Sequence, residues 1–234
     1  MVKPLSMKIG SLEVEVVRKK IKNLYIRVYP PNGLVKVVCP QKLDDAAIRE
    51  FVSAKTDWIE RQRTKFRALP PKSPQLYVTG ENCYFKGDRY LLNVIYHRAA
   101  PKVVIESEHL NLYVRYGSLD VQREEALTSW YRRQLKTELP SLIAKWEKVI
   151  GVEVKDWGVK KMKTRWGTCN TRAQRIWLNL ELIKKPQHCL EYVIVHELVH
   201  LLEPRHNERF WSYVTQFMPQ WREYHGELNR SPLI

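Results

Sequence analysis

With 234 residues, 44% of them hydrophobic and 28% charged, the chain has apolar material for one large domain or two small ones and the composition of a soluble globular protein. No apolar run is long enough to cross a bilayer, and no secretory leader is recognisable in MVKPLSMKIGSLEVEV. Four scattered cysteines without a CxxC pair argue against a disulfide framework or a cysteine-based zinc site, so a cytoplasmic protein without membrane association is expected. Forty Lys and Arg against 25 Asp and Glu give +15, split as +10 over residues 1–116 (21 basic, 11 acidic) and +5 over 117–234 (19 basic, 14 acidic). A basic surface attracts nucleotides, nucleic acid or acidic polypeptides, but it serves equally as a solvated face. No tight Lys/Arg block with interleaved aromatics marks a nucleic-acid site.

In chain order, LEVEVV, LYIRVYP and LVKVVCP alternate apolar and polar residues and predict strands, with PPNG as a turn between the last two. DDAAIREFVSAKTDWIERQRTKF places Ile48, Phe51, Val52, Trp58 and Ile59 at near-helical spacing behind an Asp44 or Asp45 cap. The proline-rich stretch 68–74, ALPPKSP, is the best linker. CYFKGDRYLLNVIYH then predicts strands, and KVVIESEHLNLYVR a hairpin. A helical pattern spans about 119–149, with a disturbance expected at Pro140. Residues 159–183 predict two strands joined by a polar turn. Helices come next from about Pro186 to Leu202, near 207–218, and after Pro219.

The stretch HELVHLLEPRH, 196–206, carries the chemistry. On a helix His196 and His200 are offset by only about 40° and about 6 Å along the axis, so both imidazoles reach one ion. Glu197 points into the same space and can take a proton from water, the general-base role in HExxH hydrolases. Leu190, Val193, Ile194, Leu198, Leu201 and Leu202 surround these groups, which predicts a mostly buried helix with one polar patch. Two His and a Glu in such a setting need mutual satisfaction or an ion.

His206 lies six residues beyond His200, about 240° round and about 9 Å further along an unbroken helix, so the chain has to turn back for it to join. Pro204 supplies the break by pushing Glu203 out of the α region. His206 is the leading third ligand; Glu203 and then Glu208 are the alternatives, both more simply read as surface ion-pairing groups. Three protein ligands and one open position make a catalytic rather than a structural Zn2+ site. Phe210, Trp211, Val214 and Phe217 form a helical stripe expected to pack behind it. Cys169 and Cys189 read as small buried hydrophobes rather than ligands.

HELVH, EPRH and RFW, together with KTRWGTCNTRAQRIWLNLELI, resemble the YgjP-like family of metal-dependent hydrolases, relatives of the SprT and Spartan type zinc proteases. The specific motifs lie in 157–224, and the upstream order of elements is also similar, over nearly the whole chain. The resemblance implies a gluzincin- or metzincin-like core with His196, His200 and His206 as zinc ligands and Glu197 as base. Glu203 departs from the metzincin pattern, and Met218 lies in a helical pattern rather than a Met-turn. In zinc peptidases an edge strand beside the active helix pairs with extended substrate. Arg165, Trp166 and Gly167 are then substrate-binding residues, with Arg165 also a catalytic candidate facing a carboxylate, phosphate or developing oxyanion. The plainer alternative makes Trp166 and Trp177 core, Gly167 a turn or bulge residue, and Arg165 a surface ion pair.

The expected fold is α+β: a β-rich region over 1–116 with one helix, then a zincin-like catalytic domain over 117–234, with packing of both as one unit left open. The expected activity is zinc-dependent hydrolysis of a peptide or protein substrate. Two alternatives stay open. Some YgjP-like proteins are named as UTP pyrophosphatases, and the basic charge suits phosphates, although no P-loop or carboxylate cluster for magnesium is present. A nucleic-acid-associated module is the other, since SprT-like relatives act on DNA-bound proteins.

Overall fold

A computed structural model describes residues 5–29, 32–67 and 75–230. Its contacts divide the chain into two units, Met1–Pro74 and Gln75–Ile234. The 68–74 linker and the start of the PPNG turn lie outside the described residues.

In the first unit β1 (Leu5–Ile9), β2 (Leu12–Lys19), β3 (Tyr25–Tyr29) and β4 (Leu34–Pro40) form one sheet in the order β1-β2-β4-β3, with β2 and β4 parallel. Period-2 alternation buries Met7, Ile9, Leu12, Val14, Val16, Val35, Val37 and Cys39. Ile48 of α1 (Asp45–Ser53) and Ile59 of α2 (Thr56–Arg67) complete this core. The expected single helix is two, interrupted at Ala54 and Lys55, and the interruption leaves Trp58 exposed. Strand β1 was not legible in the sequence. The unit carries 16 Lys and Arg against 7 Asp and Glu, so a net +9 is concentrated in 74 residues.

The second unit opens with the sheet β5-β6-β8-β7, formed by β5 (Asn82–Phe85), β6 (Asp88–Tyr96), β7 (Lys102–Glu106) and β8 (His109–Val114). The division falls after Pro74 rather than near 117 because this sheet shares a core with the helix C-terminal to it. Leu92, Leu110, Leu112 and Val114 are buried with Leu127, Leu135 and Leu139 of α3 (Asp120–Ile150). Helix α3 runs unbroken through Pro140, against the expected disturbance. Pro140 sits on the exposed face. Burial of Leu135, Leu139, Leu142 and Ile143 on the other face, about 1.5–3 kcal/mol each, outweighs the roughly 3 kcal/mol cost of the proline. Gly151 ends α3 in the left-handed conformation, its N–H on the Glu147 carbonyl at 2.8 Å.

A three-stranded sheet comes next in the order β10-β11-β9, from β9 (Asp156–Lys160), β10 (Gly167–Asn170) and β11 (Arg175–Asn179). The expected pair of strands is β10 and β11, antiparallel; β9 adds in parallel on the far side of β11, leaving β10 at the edge. A 3-10 segment, Leu180–Lys184, leads to α4 (Gln187–Val199), α5 (Glu208–Phe217) and α6 (Trp221–Arg230). Helix α4 is buried nearly all round, as its Leu- and Val-rich sequence requires. The architecture is mixed α+β, each of the three sheets followed in the chain by helices. Among the described residues the cysteines form no disulfide, and no helix is long and apolar enough to cross a membrane.

Candidate metal centre

The last turn of α4 decides where the histidines go. The α-type bonding ends with Glu203 N–H on the Val199 carbonyl at 2.9 Å, after tighter bonds from Leu201 to Leu198 and from Leu202 to Val199. The next residue, Pro204, has no N–H to continue the ladder. His200 is the C-cap, so the helix closes three residues earlier than the sequence pattern suggested. The chain then turns until Asn207, whose Oδ1 accepts the Phe210 N–H at 3.0 Å and starts α5.

This turn brings His206 back to the other two. One nitrogen from each of His196, His200 and His206 lies within 4.8 Å of the others, and His206 Nε2 is 2.9 Å from His196 Nε2. His200 Nδ1 donates to the Glu203 carbonyl at 3.3 Å, which leaves its Nε2 lone pair free. His196 Nδ1 is buried without a hydrogen-bond partner among the described residues. Phe210, fully buried, backs the whole cluster, its ring centroid 4.9, 4.6 and 4.7 Å from His196, His200 and His206. Trp211 stacks on His206 at 5.7 Å. The aromatic stripe therefore acts as packing, holding three rings whose own hydrogen bonds are few.

Burial lowers the His196 pKa to about 3, helped by His200, His206 and His225, and burial also lowers His200 and His206. All three are neutral imidazoles near pH 7, the form that binds a metal. A tetrahedral ion with nitrogen bonds of about 2.0–2.1 Å sets its donors about 3.3 Å apart, so this cluster fits after a small opening of the His196–His206 contact. Glu203 and Glu208 stand outside the cluster. The Glu203 carboxylate accepts the Arg205 N–H at 3.1 Å, a local backbone contact rather than the expected ion pair, and Glu208 lies in the first turn of α5.

Glu197 is 5% exposed, its carboxylate wedged between α4 and β10. Burial pushes its carboxyl up to about 8, and the Arg165 guanidinium opposes that rise. Gly167 makes the wedge possible: a Cβ there would lie 2.5 Å from Glu197 Oε1 and 2.7 Å from its Cγ. Gly167 is a regular strand residue opposite Leu178, not a turn or bulge, and its role is close approach. Arg165, Trp166 and Gly167 all border the same cleft of about 670 Å³ as the histidines and Glu197, joined by His225 and Asn229 of α6. Trp166 is partly buried with Lys185 Nζ 5.6 Å over its ring, whereas Trp177 covers Gly158 beneath Lys160 Nζ at 3.7 Å. Burial pushes the cleft thiol of Cys169 up to about 11 and that of the fully buried Cys189 up to about 12. Met218 is the buried C-cap of α5.

One buried side chain holds the 162–166 segment in place. Asn179 donates from Nδ2 to the Met162 and Arg165 carbonyls at 2.8 and 2.7 Å, accepts the Glu181 N–H at 3.2 Å, and gives its own N–H to the Trp166 carbonyl at 2.8 Å. The sequence offered only an Asn at a strand end, and nothing local marks its Met162, Arg165 and Trp166 partners, which lie 13–17 positions away. Asn207 was findable, as an Asn directly ahead of a helical pattern. The places of His225 and Asn229 come only from the packing of α6 on α4.

Three imidazoles that could hold a metal ion and a buried carboxyl group open on one cleft. The chain belongs to the YgjP-like family: the family's metallopeptidase domain matches residues 22–231. It is therefore a member of a family of hydrolases that work with a metal ion. Among solved structures the chain is similar to the metallopeptidase zymogen abylysin of Pyrococcus abyssi, at 17% identity and a TM-score of 0.37, over 39% of this chain and 93% of that one. No curated protein matches the chain.

Proposed function

We propose that the protein is a zinc-dependent peptidase in which His196, His200 and His206 hold the ion and Glu197 is the general base. The observation that carries this reading is the convergence of three neutral imidazoles and one buried carboxylate on a cleft bordered by an edge strand. Zinc bound there supplies Lewis acidity toward water and a substrate carbonyl. Glu197 takes a proton from the attacking water as the C–O bond forms and delivers it to the departing amine as the C–N bond breaks, so no proton is left over. Burial draws this carboxyl up to about 8, and the Arg165 guanidinium opposes the rise; the charge of a bound ion would lower it further, to the carboxylate that the base role needs. Strand β10 offers main-chain groups to an extended peptide. Arg165 is proposed to steady the oxygen on which negative charge develops.

The test is hydrolysis of casein, and separately of UTP, by the zinc-loaded protein and by Glu197→Gln. Casein cleavage abolished by Glu197→Gln, with zinc content unchanged, is the expected result. UTP hydrolysis without casein cleavage assigns the same centre to phosphoanhydride chemistry. Full activity of Glu197→Gln removes the metallohydrolase reading.

A further inference from the structure

Helix α4 carries metal-type donors at its other end as well. His188 and Cys189 lie in its first turn, and Glu227 reaches them from α6. One donor atom from each lies within 4.8 Å of the other two. His188 Nε2 is 2.6 Å from Glu227 Oε2, and the Cys189 side chain is fully buried beside them. We propose that His188, Cys189 and Glu227 form a second metal site, separate from the three-histidine centre, that takes a thiophilic divalent ion such as zinc and ties the start of α4 to α6.

The donor chemistry selects the ion. Sulfur, imidazole nitrogen and one carboxylate oxygen suit a tetrahedral borderline-soft metal and not magnesium or calcium, which favour oxygen alone. A thiolate and a carboxylate cancel the two charges of the ion, giving a neutral site that suits partial burial. An ion bound here would have to displace the thiol proton of Cys189, so its uptake should strengthen as pH rises. The His188 and Glu227 side chains are 41% and 34% exposed, so an ion has a way in and both groups have room to move apart around it. Eight residues separate His188 from His196, about 12 Å along the helix, too far for one ion to serve both clusters.

The competing explanation is an ordinary ion pair above a core thiol. That description pairs His188 with Glu227 and lets the Cys189 thiol donate to the same carboxylate, so the two explanations differ in whether an ion replaces the shared proton. The backbone contact of Cys189 Sγ, with the Tyr224 carbonyl, is long at 4.0 Å. The sequence concealed the cluster because its third donor lies 38 positions away on another helix. It stands whether or not the cleft hydrolyses peptides.

Cobalt distinguishes the two clusters, because only this one contains sulfur. The full-length untagged protein is stripped with a chelator, reloaded with Co(II), and read by metal content and by the near-ultraviolet thiolate-to-cobalt absorption. Two ions per chain and a thiolate band are expected in the wild type. The band should survive in the double variant His196→Ala/His200→Ala, which retains one ion, and in Cys169→Ser, which removes the cleft thiol. It should vanish in Cys189→Ser, again with one ion retained. Glu227→Gln changes a part-exposed side chain and should weaken the second equivalent at least tenfold in a folded protein, checked by circular dichroism. One ion per chain with no thiolate band, a band lost in Cys169→Ser but kept in Cys189→Ser, or unchanged binding in Glu227→Gln overturns the proposal. Loss of the first equivalent alone would count against the three-histidine centre instead.

Discussion

Gly167→Ala tests how tightly the general base is held. The added methyl would sit 2.5, 2.7 and 2.9 Å from Oε1, Cγ and Cδ of Glu197, whereas ordinary van der Waals contact begins near 3.4 Å. Something must therefore move by close to an ångström. Strand β10 is tied to β11 by its ladder, and Glu197 is 5% exposed, so neither side yields freely. Overpacking of this kind costs about 1–3 kcal/mol of stability. A misplacement of about 1 Å at a catalytic group costs on the order of 10²-fold in rate. The expected outcome is a folded variant with unchanged zinc content and a kcat lowered about a hundredfold, read by hydrolysis of a quenched fluorescent peptide beside metal analysis. Wild-type turnover would mean that the carboxylate is not confined by β10, and the positioning argument would fail. A loss of zinc in step with activity would place the damage at the histidines instead.

The same geometry sets three further outcomes. Pro204→Ala restores an N–H that can bond the His200 carbonyl and extend α4; one added hydrogen bond of about 1 kcal/mol favouring the extended helix should weaken zinc binding about fivefold in a chelator competition. Unchanged affinity would show that another feature turns the chain. Asn179→Ala strands the Met162 and Arg165 carbonyls and should cost about 2–4 kcal/mol by denaturant titration; a loss under about 1 kcal/mol would deny Asn179 its role as anchor. Burial acts to raise the Glu191 carboxyl, but hydrogen bonds from Lys145, Gln187 and Trp146 hold it below its usual range. The folded pKa lies below the unfolded value, so this stabilisation is complete above about pH 4.3 and is lost as pH falls through the folded value. The melting-temperature gap between wild type and Glu191→Gln should be open at pH 7 and close on acidification; a gap that persists in acid would refute the assignment.

His196, Glu197 and His200 were legible because a helix repeat of 3.6 residues converts their spacing into a shared direction. The strand and hairpin signals in 83–97, 102–115 and 159–183 were legible because alternation too is a local property. Even the need for a turn before His206 could be argued from the chain alone, since proline's missing donor acts within one helical turn. What the sequence could not decide depends on partners far along the chain. The backing of three imidazoles by Phe210, the anchoring of Arg165 and Trp166 by Asn179, and the approach of Glu227 to His188 and Cys189 all arise from packing between elements. So does the continuity of α3 through Pro140, where long-range burial outweighs a local penalty. Gly167 shows the limit most plainly. Its motif was conspicuous in the sequence, but only the folded chain reveals that the missing side chain leaves room for the Glu197 carboxylate.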